Sequence, residues 1–145
     1  MDIEISNKNF SLNIYGFSGT AINNDYTGTA FRLMDKMWQI VKANGLTHKG
    51  INIWVYEANE KGFTGVELID HPKDETGLER KNIHLKKYAR YKHIGPYNKI
   101  TQAGQNMKNE LRAKGWEIVL PYIEIYGHWT HDENKSETEL IMCLK

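Results

Sequence analysis

The chain has 145 residues, enough for one compact domain with a core and a cavity. Nineteen Lys and Arg against eighteen Asp and Glu leave a net charge of +1, which argues against a nucleic-acid binder, and no apolar run nears the roughly 18 residues of a membrane span. The single cysteine, Cys143, excludes disulfides within the chain and sits in the run Leu140-Ile141-Met142-Cys143-Leu144, as a small buried thiol would. Met1 to Phe10 holds Asp2 and Glu4 and no apolar stretch, so a secretory signal is not expected and a cytoplasmic setting is.

In chain order, Ser11 to Phe17 alternates as a strand does. Ala30, Leu33, Met34, Met37, Trp38 and Val41 then recur at helical spacing, and Asn44-Gly45 supplies a left-handed helix end. Ile51 to Tyr56 and Gly65 to Ile69 read as two more strands. Asp70 to Lys81 is charged, broken by Pro72 and Gly77, and without apolar period, so it reads as a connection. Beyond it the order repeats. Leu85 to His93 reads as a strand whose Lys86, Lys87, Arg90 and Lys92 form a solvated cationic face. Gly95-Pro96 opens a helix with the stripe Tyr97, Ile100, Gly104, Met107 and Leu111, which Gly115 closes. Trp116 leads into the strand Pro121 to Tyr126, a polar loop covers Gly127 to Ser136, and Thr138 to Met142 is the last strand.

The expected fold is α+β, with two pseudo-two-fold-related strand-helix-strand-strand units, residues 1–70 and 82–145, joined by 71–81. Setting Tyr56 on Tyr126 places Trp54 opposite Glu124, and Val66-Glu67-Leu68-Ile69 matches Thr138-Glu139-Leu140-Ile141 at three positions of four, the mark of a diverged duplication. Each unit is expected to bury one face of its antiparallel sheet under its helix and turn the other toward its twin. A central ligand groove then lies between the twins.

Glu124 is the residue that most needs a reason. In Pro121 to Tyr126, Ile123 and Ile125 share one face while Tyr122, Glu124 and Tyr126 share the other. A carboxylate between two phenols, away from water, costs several kcal/mol by order of magnitude unless a cation or hydrogen-bond donor meets it. On an edge strand with a wet outer face it would be ordinary decoration. In a groove, Asn52, Trp54 and Tyr56 of one unit face Tyr122, Glu124 and Tyr126 of the other, an aromatic slot with one acid that suits an amphipathic cation. The competing reading makes the rings core and bonds Glu124 to a neighbouring phenol. The supply of rings, eight Tyr, four Trp and four Phe, exceeds what a small core needs.

Other constellations carry less. His128-Trp129-Thr130-His131, with Asp132 and Glu133, offers metal-like ligands in a loop that nothing fixes, so no metal is assigned. The glycine pairs Gly16/Gly19 and Gly62/Gly65 lack the lysine of a phosphate loop. No nucleophile, catalytic residue or cofactor is evident.

Tyr88-Ala89-Arg90-Tyr91-Lys92-His93-Ile94-Gly95-Pro96-Tyr97, followed by Pro121-Tyr122-Ile123-Glu124-Ile125-Tyr126 and by Glu139-Leu140-Ile141, resembles the gyrase-inhibitor-like effector-binding domain. That domain is also the drug-binding half of multidrug-responsive transcription activators. The resemblance implies two units around a groove and a glutamate, here Glu124, that meets cationic drugs; a second acidic position falls on Glu139. Many such domains are fused to a helix-turn-helix, for which 145 residues leave no room, so a standalone sensor or sequestering protein is expected. Two alternatives stay open. One is a hydrolase of strained-ring natural products, with Glu124 activating water and Tyr122 or Tyr126 donating a proton. The other is a surface modulator of a topoisomerase such as gyrase or of a transcription factor, with homodimer formation undecided.

Overall fold

The computed structural model describes all residues except His71, Lys73, Asp74 and Trp129. Its elements are β1 (Glu4–Ser6), β2 (Phe10–Thr20), α1 (Tyr26–Ala43), β3 (His48–Tyr56), β4 (Lys61–Leu68), β5 (Glu79–Leu85), β6 (Tyr88–Ile94), α2 (Ile100–Ala113), β7 (Ile118–Tyr126) and β8 (Glu137–Leu144). The strands form one eight-stranded antiparallel sheet in the order β1-β6-β8-β7-β3-β4-β2-β5.

The two helices show the duplication most directly. In α1, Asp25 Oδ1 accepts from the Gly28 amide at 3.0 Å, and Ala30, Leu33, Met37 and Val41 are buried at helical spacing. In α2 the buried stripe is Ile100, Ala103, Met107 and Leu111. Both end in the same way. Gly45 (φ 58°) and Gly115 (φ 85°) take the left-handed conformation, and the next amide bonds back across the last turn, Leu46 N to Val41 O at 3.1 Å and Trp116 N to Leu111 O at 3.0 Å. None of the described helices is long and apolar enough to cross a membrane.

The units β2-α1-β3-β4 and β6-α2-β7-β8 meet where β3 pairs with β7. Trp54 lies directly across from Glu124 in that pairing, and these are the residues that the repeat makes equivalent. The pseudo-two-fold axis therefore passes between them. At the rims the units exchange strands: β1, at the start of the first, pairs with β6, and β5, just before the second, pairs with β2.

Three expectations need correction. The strand read as Leu85 to His93 is two strands, because β5 ends at Leu85, Lys86-Lys87 turn, and β6 starts at Tyr88. Glu79 to Lys81 belong to β5 and not to the connection; only Ile83 and Leu85 of β5 are buried, so an edge strand this polar carries little strand signal. The rest of the expected connection lies partly outside the described residues. Next, pairing to β3 and β7 makes Gly62 equivalent to Thr138 and Val66 to Met142, so the match of Val66 to Thr138 is off by four positions. A longer loop after Tyr126 conceals the true register.

The third correction concerns the groove. Ile53, Val55, Ile123 and Ile141 all point away from the helices and are almost wholly buried, so the sheet must curl to cover them. Its ends meet on that side, with the rings of Phe10 and Tyr88 5.3 Å apart. The helix-free face is a closed core, and the open space lies on the helix side, between α1 and α2.

Candidate ligand-binding site

Strand alternation puts Asn52, Trp54 and Tyr56 of β3 and Tyr122, Glu124 and Tyr126 of β7 on the helix face. α1 packs over β2 and β4 and α2 over β6 and β7, and the space between the two helices stays open above part of the central pair. The result is a cavity of about 360 Å³ floored by Asn52, Trp54, Tyr56, Glu124 and Tyr126. Thr27, Ala30, Phe31 and Met34 of α1 form one wall, and Tyr97, Ile100 and Thr101 the other. Sequence reasoning missed these walls. The available signal was Phe31, which lies off the buried stripe of α1 and is 62% exposed.

Glu124 is 5% exposed. Tyr126 donates to its Oε1 at 2.7 Å, Tyr122 to its Oε2 at 2.9 Å, and Tyr56 more loosely to Oε1 at 3.5 Å. No ion pair among the described residues involves it. Burial pushes its carboxyl above the usual carboxylate range, against the downward pull of the bonds from Tyr126, Tyr122 and Tyr56. All three phenols are themselves pushed up, first by burial and then by the Glu124 charge, so they remain neutral donors. The acid is thus held in place without being neutralised. Neutral phenols can be displaced or supplemented by a cation, whereas a resident Lys or Arg would have claimed the charge.

The rings form an aromatic box. Tyr56 lies 5.1 Å from both Tyr26 and Tyr122, and it meets Trp54 edge-on at 5.4 Å. Tyr97 meets Tyr126 edge-on at 6.0 Å. Tyr122 stands behind the acid and does not line the cavity. Its hydroxyl sits under α2, 3.5 Å from where a side chain on Gly104 would begin, so the glycine makes room for it. Trp54 is wholly buried, with its benzenoid ring against Gly62, where a Cβ would come within about 2.3 Å of it. It belongs to the α1 core as much as to the floor. Asn52 Oδ1 accepts from Trp38 Nε1 at 2.8 Å.

Glu139 is not in the site. It lies between Thr138 and Leu140 on β8, so alternation turns it to the helix-free side, where Arg90 bonds it at 2.6 Å. Cys143 packs partly buried against the core on that same side. Trp129 of the His-rich loop lies outside the described residues, and among those described no three His, Cys, Asp or Glu side chains are grouped to hold a metal.

No family model matches the sequence, and no curated protein does. Solved structures do match. The EcmrR C-terminal domain is 18% identical with a TM-score of 0.75, covering 100% of this chain and 99% of that one. SAV2435, in a structure bound to tetraphenylphosphonium, is 18% identical with a TM-score of 0.69, covering 100% and 94%. A hydrolase from Listeria innocua is 11% identical with a TM-score of 0.56, covering 99% and 91%. The match over the whole chain shows the architecture: the chain has the fold of the gyrase-inhibitor-like effector-binding domains.

Proposed function

We propose that the protein binds amphipathic, cationic small molecules in the cavity between α1 and α2, as a sensor or a sequestering protein. One observation carries this reading: a buried carboxylate held by three neutral phenols, with no cation paired to it among the described residues, in an aromatic-walled space. Rings attract a positive charge through their faces, by up to about 2 kcal/mol per desolvated contact, and Glu124 supplies the counter-charge. That SAV2435 has been seen with tetraphenylphosphonium supports the choice of an aryl cation as the first probe.

The test pairs tetraphenylphosphonium with tetraphenylborate, ions of similar shape and opposite charge. The cation is expected to raise the melting temperature, with about 2.7 kcal/mol of stabilisation at a hundred times its dissociation constant. The borate is expected to do nothing. Equal shifts would remove the charge argument and leave an apolar pocket.

A hydrolytic reading draws on the same acid, because a raised pKa beside phenols also suits a general base with proton donors at hand. Product formation from a strained-ring substrate, followed by mass spectrometry, would favour it. Ligands that bind and emerge unchanged favour the sensor or sink. A regulator or topoisomerase partner would be retained in a pull-down by a Glu124→Gln protein, since its contacts would lie outside the cavity.

A further inference from the structure

The two central strands differ in the hydrogen-bonding groups they leave over. On β7 the acid is already met by phenol donors. On β3 the group left over is a donor, the Asn52 amino group. An indole nitrogen can only donate, so the bond from Trp38 Nε1 fixes the Asn52 amide with its oxygen toward α1. Its amino group is left on the cavity side, and it bonds to no described residue.

We propose that Asn52 is a specificity-determining residue whose amino group donates to an acceptor oxygen on the ligand. Asn52 is two residues from Trp54, the cross-strand partner of Glu124, so the two polar anchors lie about 7 Å apart along the trough. The inference rests on the cation reading of Glu124 and narrows it. The ligand class becomes an amphipathic cation whose carbonyl, ether or hydroxyl oxygen stands about that far from its charge. A cation lacking the oxygen covers the amide N–H groups and satisfies neither, which weakens its binding. Trp38 is a positioning residue, acting only through the orientation of the amide.

Three probes test this by calorimetry: a phenyl ketone carrying a trimethylammonium group three methylenes from its carbonyl, the deoxygenated analogue, and the neutral tert-butyl isostere of the ketone. The ketone cation is expected to bind about tenfold more tightly than the deoxygenated one, a difference of about 1.4 kcal/mol. Asn52→Ala should bring that ratio to about one, the ketone cation losing its donor and the deoxygenated cation gaining affinity as the unmet amide is removed. Trp38→Phe frees the amide to turn and should lower the ratio part of the way. Glu124→Gln should weaken both cations and preserve the ratio. A wild-type ratio near one, or a ratio that survives Asn52→Ala, overturns the proposal while the charge reading stands. A neutral ketone that binds as well as the cation and loses affinity on Asn52→Ala sustains the Asn52 contact and overturns the charge reading. Binding of none of the three overturns both.

Discussion

β3 and β7 are equal in backbone and unlike in chemistry. Each spans nine residues, each has a register break in its outer half, and they meet across the pseudo-two-fold axis. The core-facing twins stay apolar, Ile53 with Ile123 and Val55 with Ile125. On the cavity face Trp54 stands for Glu124 and Asn52 for Tyr122, and only Tyr56 and Tyr126 agree. The shared positions build the frame. The site is made where the twins part, which is why one carboxylate, and not two, occupies the floor.

The hardest way to strain this comparison is to remove the structural twin. Trp54→Ala is expected to cost about 3–5 kcal/mol of stability in denaturant melts, as deletion of a fully buried large ring does. Glu124→Gln should show no loss of that size, because burial makes the charged form of Glu124 unfavourable in the empty protein. An equal loss in both variants would mean that the acid is as structural as the indole.

The second effect falls on the functional twin alone. Glu124→Gln should cost a bound aryl cation about 1.5–3 kcal/mol, the scale of a charged hydrogen-bond partner, measured by calorimetry on the folded protein. Retained affinity would move the site elsewhere.

The third is pH dependence. The folded pKa of Glu124 is raised above its ordinary value, and a bound cation favours the charged form and lowers it again. Affinity for a permanently charged ligand should therefore rise as pH increases through the raised value, with proton release on binding in that window. The same sign governs stability: the contribution of Glu124 is full below the unfolded glutamate pKa, about 4.3, and is lost as pH rises through the folded one. Empty wild type should thus weaken relative to Glu124→Gln as pH increases. Calorimetry in buffers of different ionisation enthalpy measures the proton exchange, and a flat profile matching Glu124→Gln would show the acid to be solvated.

The smallest effect is expected at Glu139. Its pair with Arg90 is partly exposed, so Glu139→Gln should change stability by no more than about 1 kcal/mol and leave cation affinity alone. A clear loss of binding would return this residue to the site.

Periodicity made the helices, the central strands and the Trp54–Glu124 relation legible, because those segments bury whole faces. It failed at β5 and β1, which are short or polar and gain their order from pairing at an edge. Alternation also separated the faces of β7 correctly, yet it could not say which face the helices share. That choice depends on how the sheet curls over Ile53, Val55 and Ile123, a long-range packing outcome. Glu139 was misplaced because the resemblance alone put an acid at that position, and the loop after Tyr126 hides from the sequence which residues of β8 face the helices. The cavity walls escaped because Phe31 and Thr27 look like ordinary exposed helix positions until a second helix stands opposite.

The strand exchange at the rims has a mechanical consequence. Each half wears an edge strand that belongs in sequence to the other, β1 on β6 and β5 on β2, so the halves are clasped and not merely adjacent. Swinging them apart about the β3–β7 seam would have to tear both clasps at once. The sheet therefore forms a clasped floor beneath the cavity, and a wider opening would have to come from above it, through rotation of Phe31, Met34 and Tyr97 along its lips.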